Sequence, residues 1–169
     1  MKPSLKWVAV AGLVLGGALG MAGSFAAQAN VRNILWAIDS VGLVVATVIL
    51  AMHFYRKGRE AVAAGFLVFA LGESVMLVGT AGTLEASVPA FAAGTALWAA
   101  GLLMVSLPGE FPLWTRLAGL VTGVLMAITA VSIFWGRAVT PLSRPLPLFA
   151  YPVLVLTFVG WLVRVIREE

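Results

Sequence analysis

Six long apolar runs, separated by short polar gaps, dominate the pattern along the chain. They extend over about 7–28, 34–54, 61–80, 86–107, 113–135 and 146–165. Each run has the roughly 20 residues that a helix needs to cross a hydrocarbon core about 30 Å thick. Because the runs are continuously apolar rather than alternating, they favour helices over the strands of a membrane β-barrel.

The five gaps between the runs carry charged residues, proline and asparagine, which commonly end helices. They cover Asn30–Asn33, Tyr55–Glu60, Thr83–Glu85, Pro108–Pro112 and Arg137–Pro145. None is long enough to fold into a domain outside the membrane. We therefore predict an all-α, polytopic membrane protein, with residues 1–169 forming one bundle of six transmembrane helices.

The basic residues are distributed unevenly between the two sides of this topology. Eight fall on one side (Lys2, Lys6, Arg56, Lys57, Arg59, Arg116, Arg164, Arg167), and Arg32, Arg137 and Arg144 fall on the other. Basic residues concentrate in cytoplasmic loops, so both termini are predicted to be cytoplasmic and the protein to be multi-pass in the inner, cytoplasmic membrane. Four tryptophans near predicted helix ends fit interfacial anchors: Trp7, Trp36, Trp114 and Trp135.

Composition supports the membrane assignment. Hydrophobic residues make up 62% of the chain and charged residues 11%, with a mean hydropathy of +1.05. A soluble domain carries about a quarter charged residues, so a soluble enzyme, a disordered chain and a secreted disulfide scaffold are excluded. The net charge of +4 lies in membrane-flanking segments, which indicates the lipid bilayer rather than nucleic acid as the partner.

The supply of metal-binding and nucleophilic residues is small. The chain has no cysteine and one histidine, His53. Thiolate metal sites, iron–sulfur clusters and a haem held by two histidines of one chain are therefore excluded. The sequence contains no nucleophile elbow, zinc-protease motif, P-loop or dinucleotide fingerprint. We expect no cofactor, no metal and no catalytic residues, and an enzyme is the less favoured class.

The first run resembles a signal peptide in its flanks. Lys2 and Lys6 precede it, and it ends in the small residues Ala27-Gln28-Ala29, a pattern that signal peptidases cleave. Its apolar part is long enough to span the membrane. We favour a retained helix; cleavage would leave five helices in the same orientation.

Glycines at four-residue spacing mark one face of the first helix: Gly12, Gly16 and Gly20. Such rows let helix backbones approach closely in lipid. The favoured interpretation is packing against a neighbouring helix of the same chain. The alternative is a homo-oligomer formed through the first helix.

Two carboxylates lie inside predicted spans. Asp39 is expected about five residues into the second helix, and Glu73 slightly outside the centre of the third. At the helical rise their depths differ by only about 3 Å, so they meet if their helix faces point at each other. A charge near the bilayer centre costs about 2.5–3.5 kcal/mol or more, and such residues usually mark a pathway. The pair is therefore our candidate proton- or cation-binding site, with protonated, purely structural acids as the alternative.

Three further residues are candidate accessories to this pair. His53 lies on the same helical stripe as Asp39 and is either a proton relay or an interfacial residue. Tyr151 is expected at the outer level of Asp39, where it would complete an outer-facing cavity with both acids. Trp98 lies mid-span in the fourth helix. Its indole N–H either has a hydrogen-bond partner or a cavity, or the ring simply packs in the bundle or against lipid.

These features favour a small channel or transporter for protons, ions or a small solute, with Asp39 and Glu73 as its central polar groups. The alternative is a non-catalytic membrane scaffold or subunit that binds itself or another membrane protein through glycine-rich faces. A third, weaker hypothesis is a lipid-binding protein or intramembrane enzyme, which needs a lateral opening near Trp98 or the acids.

Overall fold

The computed structural model describes residues 1–167, and this part of the chain is helical without strands. The helices are α1 (Pro3–Phe25), α2 (Ala29–Arg56), α3 (Glu60–Gly79), α4 (Val88–Ser106), α5 (Leu113–Phe134) and α6 (Tyr151–Arg167), with a short 3₁₀ turn at Leu148–Ala150. Within residues 1–167, six helical segments, the last counted from Leu148, are long and apolar enough to cross a membrane. The predicted six-helix fold is confirmed, and the chain is an integral membrane protein.

The helices form a closed ring. Each packs against its neighbours in sequence, and α6 completes the ring by packing against both α5 and α1. Lys6 donates a hydrogen bond from Nζ to the carbonyl oxygen of Ile166 at 2.9 Å, so the start of α1 meets the end of α6. We call this end of the bundle the terminal end. The α1–α2, α3–α4 and α5–α6 connections lie at the opposite end, called the far end.

Helix α2 begins earlier than its sequence suggests. The predicted gap Asn30–Asn33 is wrong, because α2 starts at Ala29 and both asparagines lie in its first turns. The first backbone N–H groups of a helix have no partner within the helix, and polar side chains are favoured there. Asp39 is consequently ten residues into α2, about 15 Å along it at the helical rise, rather than the five residues expected.

The glycine row of α1 packs against α2. A methyl group added at Gly12 would collide with the backbone oxygen of Gly42, and one at Gly16 would collide with Leu43. One at Gly20 would lie 2.7 Å from Oδ2 of Asp39. These glycines therefore serve packing within the chain, the favoured of the two sequence interpretations.

The same device joins α3 to α4. A methyl group at Gly72 would lie 2.9 Å from the carbonyl oxygen of Gly94, and one at Gly101 would lie 2.7 Å from that of Gly65. The two backbones thus touch at two levels. Helices held backbone to backbone leave little freedom for sliding or rotation, so the α3–α4 pair is a rigid unit.

Aromatic side chains fill the centre of the ring from the terminal end to about its middle. We call this cluster the aromatic plug: Phe54, Phe66, Phe69, Phe111, Phe158 and Trp161. Trp161 is its hub, with ring centroids 4.8 Å from Phe66, 5.7 Å from Phe69 and 5.4 Å from Phe158. The plug joins α2, α3 and α6 across the ring, and it closes the terminal half of the bundle.

The close approach of α1 to α2 predicts that alanine substitution at two glycines of α1 affects stability differently. Gly12→Ala forces the backbone of α2 to move, and we expect it to destabilise the protein by about 1–3 kcal/mol, the usual cost of overpacking. Gly17→Ala is the matched control, since its added methyl group would lie 3.7 Å from Val155. Thermal unfolding in one detergent should show a lower Tm for the first variant only. Equal Tm values would contradict the proposed α1–α2 contact.

Candidate functional site

A cavity of about 90 Å³ lies in the far half of the ring. Its lining runs from Gly82 and Thr83, which are exposed in the α3–α4 connection, to Glu73 and Trp98, which are buried near the middle of the bundle. All helices except α5 contribute to its wall. One water molecule needs at least about 10–15 Å³ of accessible space, so the cavity is large enough for several waters.

Asp39 reaches this cavity from α2. Its side chain is 9% exposed, and Oδ2 lies against Gly20 of α1, where the absence of a side chain leaves room for a carboxyl group. Within residues 1–167, Oδ1 has no hydrogen-bond partner. The carboxyl group therefore packs against α1 through Oδ2, and Oδ1 is left without a partner at the cavity.

Glu73 reaches the same cavity from α3 and is 2% exposed. Ser40, the residue after Asp39, donates a hydrogen bond from Oγ to Oε1 of Glu73 at 2.6 Å. Oε2 has no hydrogen-bond partner in the described part of the chain. The two carboxyl groups are close enough to interact electrostatically. The structure thus brings together the two acids that the sequence singles out.

Trp98 forms part of the cavity floor. Its ring stacks on Phe69 with the centroids 5.1 Å apart and the planes 4° from parallel. The indole nitrogen lies beside Glu73, yet neither Glu73 nor any other described residue is placed to accept a hydrogen bond from it. Three buried polar atoms at the cavity thus have no hydrogen-bond partner among the described residues: Oδ1 of Asp39, Oε2 of Glu73 and Nε1 of Trp98. Buried polar atoms are nearly always hydrogen-bonded, so three such atoms at one cavity indicate a site that receives a polar ligand or water.

Tyr151 also lines the cavity, as the sequence interpretation expects. Its hydroxyl group donates to the carbonyl oxygen of Pro141 at 2.9 Å, and Pro141 belongs to the α5–α6 connection. The hydroxyl group therefore fixes this connection over the far end of the bundle, while the residue forms part of the wall.

His53 lies apart from the acids. It is buried near the terminal end of α2, where its ring meets Phe54 edge to face at 5.5 Å. It borders a different pocket, formed with Met1, Lys2 and Leu5. The aromatic plug lies between this position and the cavity, so the structure does not bring His53 to Asp39 and Glu73.

Sequence reasoning did not identify Ser40 or the contacts of Trp36. Trp36, predicted to be an interfacial anchor, lies seven residues into α2 because the helix begins earlier than predicted. Its indole donates to the carbonyl oxygen of Gly20 at 3.2 Å, and its ring lines the cavity. A polar residue directly after an intramembrane acid was the available signal for Ser40.

Comparison with known proteins returns no match: no family model, no curated protein and no solved structure is similar to this chain. Among residues 1–167, no three His, Cys, Asp or Glu side chains are grouped as metal ligands would be. The interpretation of the cavity therefore depends on its own geometry.

The absence of cysteine from the sequence allows a direct test of water access to the cavity. Ser87 lines the cavity, whereas Thr95, two turns further along α4, is fully buried outside it. We expect a small, membrane-impermeant thiosulfonate to modify a Ser87→Cys variant at least about tenfold faster than Thr95→Cys, because thiol reactivity follows exposure. Mass spectrometry measures both rates. Equal protection of the two positions would argue against a hydrated cavity.

Proposed function

We propose that this protein is a small membrane transporter or channel in which Asp39 and Glu73 form the central site for a proton, a cation or a small polar solute. The observation that carries the proposal is that two acids from different helices line one cavity near the middle of the bundle. Burying an ionisable side chain near the bilayer centre costs free energy, and such residues usually face a partner or a pathway. A purely structural acid has no need of such a cavity.

The chemistry of the pair suits reversible binding of one positive charge. Two adjacent carboxylates repel each other when both are ionised, so a shared proton or a bound cation relieves that repulsion. The hydrogen bond from Ser40 holds one oxygen of Glu73 and leaves the other directed to a ligand. Release of the bound charge restores the repulsion, which makes the site ready for another cycle.

The orientation predicted from the basic residues assigns a direction to the cavity. With both termini in the cytoplasm, the far end faces outward, and the cavity is reached from outside. The aromatic plug then separates the acids from the cytoplasm. Transport requires the plug to rearrange, as in the alternating exposure of a central site.

The scaffold alternative loses the feature that suggested it. It needs glycine-rich faces that are free to bind a partner, whereas Gly12, Gly16 and Gly20 pack against α2 and Gly65 packs against α4. It also gives no reason for two acids beside a cavity.

Neutral replacement of the acids tests the proposal. We expect Asp39→Asn and Glu73→Gln each to reduce pH-dependent flux by about tenfold or more. An amide cannot ionise, so each variant lacks one of the two carboxylates that bind the proton or cation. The measurement is the initial rate of dye-reported proton or cation flux in proteoliposomes. Both variants should remain monodisperse and keep their helical circular dichroism.

Glu60→Gln is the matched control for this experiment. Glu60 is an exposed acid at the first residue of α3, at the terminal end. Its replacement makes the same chemical change away from the cavity, and flux should stay at the wild-type rate. Full flux in both Asp39→Asn and Glu73→Gln would overturn the proposed function.

The plug generates a separate prediction. Trp161→Ala removes the side chain on which Phe66, Phe69 and Phe158 converge, and we expect downhill flux to increase because the barrier below the acids becomes thinner. Truncating a buried tryptophan costs about 3–5 kcal/mol, so Trp161→Phe supplies a milder variant with an intermediate effect. Trp135→Ala, at a position 85% exposed, should leave flux unchanged. A folded Trp161→Phe protein with unaltered or slower flux would contradict the plug as a barrier.

A further inference from the structure

The wall of the cavity combines two carboxyl groups with several aromatic rings. In the described part of the chain, the aromatic residues that line it are Trp36, Phe91, Trp98, Tyr151 and Phe158. The face of an aromatic ring attracts cations, and the attraction is strongest when the cation is desolvated. Acids that serve only protons have no need of such a wall.

We propose that the cavity recognises a small organic monocation, an alkylated ammonium group of about five heavy atoms. This inference depends on the proposed function, for which it names the class of substrate. The alkyl groups contact the rings, and the positive charge lies near Asp39 and Glu73.

The charges around the cavity select the sign of the ligand. Within residues 1–167, its lining includes Asp39 and Glu73 but no lysine, arginine or histidine. No basic side chain in the described lining therefore compensates the two acids when they are ionised. A positively charged ligand supplies the missing counter-charge, whereas an anion would meet only repulsion.

The ligands present at the floor disfavour a bare inorganic cation. Metal cations of the hard type take about six or more oxygen ligands. At the floor the described residues offer the two carboxyl groups and the hydroxyl group of Ser40, which is already engaged with Glu73. Apolar side chains of the lining, among them Leu43, Trp98 and Phe158, complete the surroundings. An ammonium group with apolar substituents fits these surroundings without a full oxygen shell.

The size of the cavity agrees with a compact head group. A volume of about 90 Å³ is several times the minimum of about 10–15 Å³ that one water requires, and it suits a ligand of about five heavy atoms. Trp98 is well suited to contact it, because the stacking of its ring on Phe69 fixes the plane of the indole. A fixed ring loses little freedom when a ligand binds.

Isothermal titration calorimetry on the full chain in lipid nanodiscs tests the inference. The probes are tetramethylammonium chloride, sodium chloride and the neutral isostere tert-butanol, each at constant ionic strength. We expect tetramethylammonium to bind at least about tenfold more tightly than sodium, the factor that a desolvated cation–ring contact supplies. The neutral isostere should give no measurable heat.

Variants of the wall separate ring contacts from general damage. Trp98→Leu should weaken tetramethylammonium binding by about tenfold, and Trp98→Phe should recover part of the loss because a ring face remains. Phe91→Leu provides a second variant at another ring of the wall. Trp114→Leu, at a half-exposed position on α5 outside the cavity, is the control and should bind as the wild type does.

Two outcomes overturn the inference: tetramethylammonium binding no tighter than sodium, or an unchanged affinity in both Trp98→Leu and Phe91→Leu. If flux still depends on Asp39 and Glu73 in that case, the proposed function stands and only the substrate class is wrong. If flux also persists in Asp39→Asn and Glu73→Gln, both proposals fail.

Discussion

The hydrogen bond between Ser40 and Glu73 sets the alignment on which the cavity depends. It is 2.6 Å long, buried, and joins α2 to α3 at the level of both acids. In an apolar bundle a carboxyl group without a partner is costly, so this contact favours one relative position of the two helices. A shift of α3 by one residue would rotate the Glu73 position by about 100° and remove it from Ser40. The bond therefore keeps both acids at one place.

Residue size then decides where the ring is open and where it is closed. In the far half, Gly20 leaves room for the Asp39 carboxyl group, and Gly16 accommodates Leu43. In the terminal half, phenylalanine and tryptophan side chains meet across the centre. Trp98 and Phe69 mark the boundary between the halves, because one lines the cavity and the other belongs to the plug. The open half contains the acids, and the closed half contains the bulkiest rings.

Hydropathy alone predicts the six spans, because the requirement to cross the hydrocarbon core leaves few alternatives for such runs. The acids were also identified from the sequence, since charges inside spans are rare. The contacts of Trp36 and Ser40 were not predictable in this way. They depend on which face each helix turns inward, and a helix that is apolar on all sides gives almost no periodic signal. The start of α2 was missed because asparagine is compatible with both a loop and a first helical turn.

The contacts between helices differ in how much movement they allow. The α1–α2 and α3–α4 pairs are held by backbone atoms that meet at glycines. Rotation of one helix in such a pair would either break these contacts or bring side chains into collision with the facing backbone. Between α1 and α6, by contrast, Gly17 has only ordinary contacts, at 3.7 Å from Val155 and 4.0 Å from Phe158. Helix α6 also supplies Phe158 and Trp161 to the plug, so a small displacement of α6 would carry both rings with it. The surface between α1 and α6 therefore offers less resistance to rearrangement than the glycine contacts of the α1–α2 and α3–α4 pairs.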